Sequence, residues 1–198
     1  QAMLHLIPFR LDAEISAMVR DGTLVYELAR PMDLYWSWYA RSIAMRTAPT
    51  LLRALPMFAL ALPFLGMRLP PSPWSFLAFL VAIGGAVLLT SAVTTLANIS
   101  LLWTLSGQGV SNMLQVAVMF LAGMYVPLPL LPDWAQVVLN VLPFRGIMDV
   151  PFRLWSGDIP PVEAPHLVVQ QLAWTAAFVA LGRWVLGRGT RRLVVQGG

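Results

Sequence analysis

Apolar positions in this chain come in long blocks rather than in short alternating patterns. One block, 50–66 (TLLRALPMFALALPFLG), holds a single charge, Arg53, near its start, where a long side chain can reach the lipid headgroups. Pro56 and Pro63 would kink a soluble helix, but inside a bundle neighbouring helices can satisfy the freed carbonyls. A second block runs from Trp74 to about Leu105 with no charge at all. A helix needs about 20 residues to cross the hydrocarbon core. This block is therefore too long for one upright span and too short for two with a turn. It reads as one span over 74–98, with a more polar extension through Asn98 and Ser100. Gly84 and Gly85 within it allow close helix contact or a bend. Ser106, Gly107, Gln108 and Gly109 read as a tight turn, followed by a third span at 110–126. Pro127, Pro129 and Pro132 break the pattern, and the last span covers 167–186.

Amphipathic pieces flank these blocks. In 133–142 (DWAQVVLNVL), Trp134, Val137, Val138 and Val141 repeat at i, i+3, i+4 and i+7, and Asp133 is placed to cap the helix. Such a helix lies on or dips into a membrane surface. The stretch 143–161 (PFRGIMDVPFRLWSGDIPP) reads as irregular and Pro-punctuated. Near the N-terminus, Leu11, Ile15, Met18 and Val19 form one apolar stripe. Asp12 and Glu14 sit in its first turn, where the helix dipole favours anions, and Gly22 is a stop. A short helix, TLVYELAR, ends before Pro31. Asp33 caps the next helix, whose Tyr35, Trp36, Trp38 and Tyr39 beside Arg41 and Arg46 suit a headgroup-level aromatic belt.

Composition fixes the class. The 198 residues are 58% hydrophobic and 11% charged, with a mean hydropathy of +0.71. Soluble domains run at about 45–50% apolar and about 25% charged. The expected fold is thus an all-α, polytopic transmembrane helix bundle with amphipathic interfacial helices on both sides. Residues 1–49 form an interfacial and cytoplasmic region, and 50–198 the transmembrane domain, with an external segment at 127–166. All 13 basic residues are Arg, so the Lys of a nucleotide-binding P-loop is absent. If ATP drives this protein, another chain binds it. There is no Cys, which excludes disulfides and thiolate metal sites.

Charge placement orients the chain. Arg10, Arg20, Arg30, Arg41 and Arg46 precede the first span, and Arg183, Arg188, Arg191 and Arg192 mark the end of the last. The long loop carries Asp133, Asp149, Asp158 and Glu163 against Arg145 and Arg153. The positive-inside rule then places both ends in the cytoplasm and the loop outside.

No catalytic constellation emerges. His5 and His166 are far apart in sequence, and neither stands near a carboxylate in a predicted helix. Thr90, Ser91, Thr94 and Thr95 read as packing groups that bond to helix carbonyls or neighbouring helices. Asp149, Asp158 and Glu163 read as a hydrated loop rather than a metal or proton site. RGTRRL near the C-terminus is a topology determinant that attracts anionic lipid, and no nucleic-acid partner is expected.

Three stretches carry a resemblance. MVRDGTLVYELARPMDLYWSWYARSIAMR resembles the cytoplasmic segment of type-2 ABC transporter permeases (the ABC-2 permease superfamily), through Gly22-Thr23-Leu24 and Leu28-Ala29-Arg30-Pro31. VPLPLLPDWAQVVLNVLPF is similar to the family's external segment, with its Pro-x-Trp helix start and Leu-Pro-Phe at 142–144. The ending QQLAWTAAFVALGRWVLGRGTRRLVVQGG is similar to the last span and basic tail. The family usually has six spans against the four counted here, which implies an N-terminally incomplete chain with two spans upstream of Gln1. The resemblance implies an ATP-driven exporter permease in the cytoplasmic (inner) membrane of a bacterium. It would pair with a second permease subunit, as a homo- or heterodimer, and dock a separate ATPase that binds ATP and Mg. No cofactor belongs to this chain and no enzymatic activity is expected of it. Met18, Val19, Arg20, Asp21, Gly22, Thr23 and Leu24 are the candidate ATPase-coupling contact. From the residues alone, this region reads first as a set of ordinary amphipathic helices resting on lipid, and only the resemblance lifts the docking reading above that. The rival functions are a small polytopic membrane enzyme and a non-transporting membrane scaffold.

Overall fold

A computed structural model describes residues 11–64, 66–102 and 107–193. Among them lie eight α-helices and no strand, an all-α membrane bundle. Among the described residues three helices are long and apolar enough to cross a bilayer, and the span expected at 110–126 falls on a 15-residue helix, Gly107–Leu121. α1 (Ala13–Arg20) and α2 (Leu24–Leu28) are short, and α3 (Leu34–Phe64) and α4 (Pro73–Ser100) are long. α5 (Gly107–Leu121), α6 (Asp133–Val141) and α7 (Asp149–Ser156) lead to the long α8 (Ala164–Leu193).

Local chemistry sets the helix starts. Asp12 caps α1, its Oδ1 accepting from Glu14 N at 2.9 Å and Ile15 N at 3.4 Å. Asp33 caps α3 in the same way, through Tyr35 N and Trp36 N. Ser72 caps α4 through Ser75 N, with Pro73 at the first helical position, where its missing N–H costs nothing. Asp133 departs from expectation. Pro132 holds the cap position and its carbonyl already accepts from Ala135 N and Gln136 N, so Asp133 opens α6 rather than capping it.

α3 runs unbroken for 31 residues, about 46 Å at the standard rise. It passes through position 50, where the first span was expected to begin, and contains Pro49, Pro56 and Pro63. α4 is the central helix, packing on α8, α7 and α3. Gln171 of α8 donates to Ala82 O of α4, and Leu186 of α8 clusters with Ile99 of α4, so these two helices run in the same direction. α3 runs against them: Arg46 meets Thr94, and Phe58 packs on Trp155 beside Phe79.

Two local readings change. Gly107 and Gly109 belong to the first turn of α5, not to a tight turn, while Ser106 lies outside the described residues. The stretch expected to be irregular holds a 3-10 turn, Pro143–Ile147, and the helix α7, closed by Gly157 at φ +84°. α6 keeps its predicted apolar stripe, and Trp134, Val137, Val138 and Val141 all face away from the protein, as a lipid-facing surface would.

Candidate functional site

Of the candidate contact residues, Met18, Val19 and Arg20 close α1, Asp21, Gly22 and Thr23 form the turn, and Leu24 opens α2. Gly22 takes a left-handed φ of +71°, which reverses the chain between the two helices. The seven do not share one environment. Leu24 is buried, and Met18 and Val19 are half-buried, all against a cluster that includes Ile15, Tyr35, Trp38, Ile99 and Leu186. Arg20, Asp21, Gly22 and Thr23 are exposed. The apolar members thus fasten the hairpin to the bundle, and the turn is what it presents.

Sequence reasoning missed two residues of this surface. Val25 and Tyr26, on α2, are 61% and 75% exposed. The signal was present in the run Leu24-Val25-Tyr26. Successive helical side chains are spread around the axis, so one short helix cannot bury three in a row against one face.

A polar network anchors the hairpin. Asp12, itself buried, lies at its centre. Its Oδ2 is 2.6 Å from Arg41 Nε of α3, and its backbone N–H donates to Asn98 Oδ1 of α4 at 3.1 Å. Arg41 also pairs with Glu14. Trp38 Nε1 donates to Glu27 Oε2 at 3.1 Å, holding α2 on α3, and Arg183 of α8 lies 3.3 Å from Asp33. The α1–α2 hairpin is therefore bonded directly to α3 and α4, and packed through the apolar cluster on α8.

The opposite end of the bundle holds a second charged group. Asp149 was read as hydrated, but its side chain is buried, with Oδ2 3.3 Å from Arg145 Nε and 3.7 Å from Arg153 Nη1. Neither Arg145 Nε nor Asp149 Oδ2 completes a hydrogen bond. Desolvation accordingly outweighs the attraction of the two guanidinium groups and raises the Asp149 pKa above the ordinary carboxylate value. Asp158 stays exposed and accepts from Ser156 Oγ.

Thr90 and Thr95 donate to the carbonyls of Ala86 and Ser91, as packing hydroxyls do. Among the described residues, no group of three or more His, Asp or Glu side chains is placed to hold a metal. His166 is exposed on α8, and His5 lies outside the described residues. What the α1–α2 end offers is thus an exposed turn and two exposed apolar side chains, Val25 and Tyr26, on a hairpin bonded to long helices.

A family model described as "ABC-2 family transporter protein" matches residues 1–197. None of the curated proteins and none of the solved structures matches the chain.

Proposed function

Since the chain belongs to the ABC-2 transporter family, as a membrane permease of an ABC transporter, we propose that its α1–α2 hairpin docks a separate ATPase subunit. The contact is made by Asp21, Gly22, Thr23, Val25 and Tyr26, with Arg20 at its edge. Met18, Val19 and Leu24 act behind it, holding the hairpin to the spans. The ATPase binds ATP and Mg, because this chain has no Lys for a P-loop. The arginine-rich end and both termini face the cytoplasm of a bacterium, by the positive-inside rule. Two permease subunits pair around the pathway, and transport runs outward.

One observation carries this reading. Apolar side chains stand exposed on a short helix whose neighbour is bonded to α3 and α4. Exposed Val25 and Tyr26 gain by burial against a partner, and Asp12, Arg41 and Asn98 form the path along which the partner's motion reaches the spans. Physically, coupling requires a contact whose free energy differs between two states of the bundle.

The test is co-purification of the ATPase with the tagged full-length permease in mild detergent. Thr23→Arg with Tyr26→Ala is expected to lose most of the ATPase while the permease inserts and folds normally. Exposed substitutions typically change stability by no more than about 0.5 kcal/mol. Tyr26→Phe should retain it. Leu24 is unsuitable for this purpose, because a charge there would disturb the packing beneath the hairpin. Retention of the ATPase by the double variant would refute the assigned surface.

A further inference from the structure

Arg46 lies within α3 and is only 7% exposed. Its contacts are all to neutral groups. Nη1 donates to Ser42 O at 3.0 Å and Ser42 Oγ at 2.6 Å, and Nη2 donates to Thr94 Oγ1 of α4. All nine carboxylates of the chain fall among the described residues, and the ion pairs they form go to Arg41, Arg145, Arg153 and Arg183. None reaches Arg46. A buried cation without a counter-charge is costly, and within a membrane helix it marks a functional site by default.

The surroundings repeat the same imbalance. Arg46 Nε, Thr50 Oγ1 and Ser91 Oγ are buried and make no hydrogen bond. Ser42, Arg46 and Thr50 follow one another at i, i+4 and i+8 on one face of α3. Ser91, Thr94 and Asn98 follow at i, i+3 and i+7 on one face of α4. Because the two helices run antiparallel and Arg46 meets Thr94, one turn forward to Thr50 and one turn back to Ser91 lead the same way. One full positive charge and three unused donor groups therefore share a single seam. Thr94 lies about 31 Å along α4 from Pro73 at the standard rise, near the helix end that meets α1. That depth corresponds to the edge of the hydrocarbon core, within reach of a headgroup phosphate or of an anion from the adjoining aqueous phase.

We propose that Arg46, Thr50, Ser91 and Thr94 form a buried oxyanion site between α3 and α4, which takes the phosphate or carboxylate group of an anionic molecule. A guanidinium offers Nε and Nη donors in a planar fork suited to two oxygens, and the hydroxyls of Thr50 and Ser91 supply further donors. Snorkelling does not account for Arg46, since its side chain stays enclosed rather than reaching water. The site stands independently of the α1–α2 docking surface.

The full-length permease in nanodiscs of phosphatidylcholine alone serves as reference. It is compared with discs containing added phosphatidylglycerol, and with phosphatidylcholine discs in buffer containing inorganic phosphate. Melting temperature and lipid retained in native mass spectra are read. The wild type should gain thermal stability and hold phosphatidylglycerol through delipidation, and Arg46→Gln should lose both effects. A gain with inorganic phosphate instead, lost in the same variant, identifies a free anion as the source. Thr50→Val with Ser91→Ala keeps the charge and should weaken the response several-fold, which preserves the test if Arg46→Gln fails to fold. No response of the wild type to either anion overturns the site. So does an identical response from wild type and Arg46→Gln, or from wild type and the double variant.

Discussion

A Cβ added at Gly85 would collide with Gln171 Oε1, and one at Gly146 would fall 2.9 Å from Gln171 Cγ. These two glycines let one side chain bridge three parts of the fold. Gln171 of α8 donates through Nε2 to Ala82 O of α4 at 3.1 Å and to Gly146 O at 2.6 Å. Its amide cannot swing aside without giving up both bonds, so Gly85→Ala should cost about 1–3 kcal/mol. Gly84→Ala next to it meets nothing within 4 Å and should be neutral or slightly stabilising. Melting temperatures of both variants in one detergent check the contrast. The sequence pointed to both glycines as sites of close approach, but only the structure tells which one is used. The reason is rotational: adjacent helical residues face different ways, and Gln171 is an ordinary polar residue until its two carbonyl partners are known. Asp12 and Asp33 were legible as caps, because a short acceptor ahead of an apolar-periodic run has few other roles. Arg46 was read as part of a headgroup belt. Its enclosure depends on α4, which no local pattern encodes.

At the scale of elements, the long blocks were readable because length and freedom from charge are strong signals. α7 was not. The prolines at 143, 151, 160 and 161, in it and on either side of it, look like repeated breaks. Pro151, however, is the third residue of α7, where a backbone N–H has no helical acceptor to lose. α7 also carries the buried Asp149. Its raised pKa means that the folded state holds this proton more tightly than the unfolded chain does. The corresponding stability is fully present below the ordinary carboxylate pKa and is lost as pH rises through the raised value. Wild type should therefore lose stability relative to Asp149→Asn as pH climbs through that window. The check is the difference between the two proteins' melting temperatures across the acidic range. A difference that stays constant with pH would contradict the burial argument. The two variants of the residue scale and this one all act away from the α1–α2 hairpin.

Taken as a whole molecule, three long helices are joined through α4, with short helices closing both ends. The C-terminal half of α3 remains exposed at Leu51, Leu52, Leu55 and Leu60, and α6 turns its apolar stripe away from the protein. Such surfaces are stable in lipid and a liability in water. Class and family were therefore legible from hydropathy and from the order of the degenerate motifs. The proposed docking surface was only half visible in the sequence: the turn at Gly22 stood out, whereas Val25 and Tyr26 join it once Leu24 is seen to occupy the interior.

Site-specific photo-crosslinking in the assembled transporter tests the hairpin's role most directly, with one probe at Tyr26 of α2 and another at Gln136 of α6. The Tyr26 probe should capture the ATPase subunit, with a yield that changes when ATP is bound, and the Gln136 probe should capture none. Capture of the ATPase from Gln136 with none from Tyr26 would contradict both the docking surface and the orientation of the bundle.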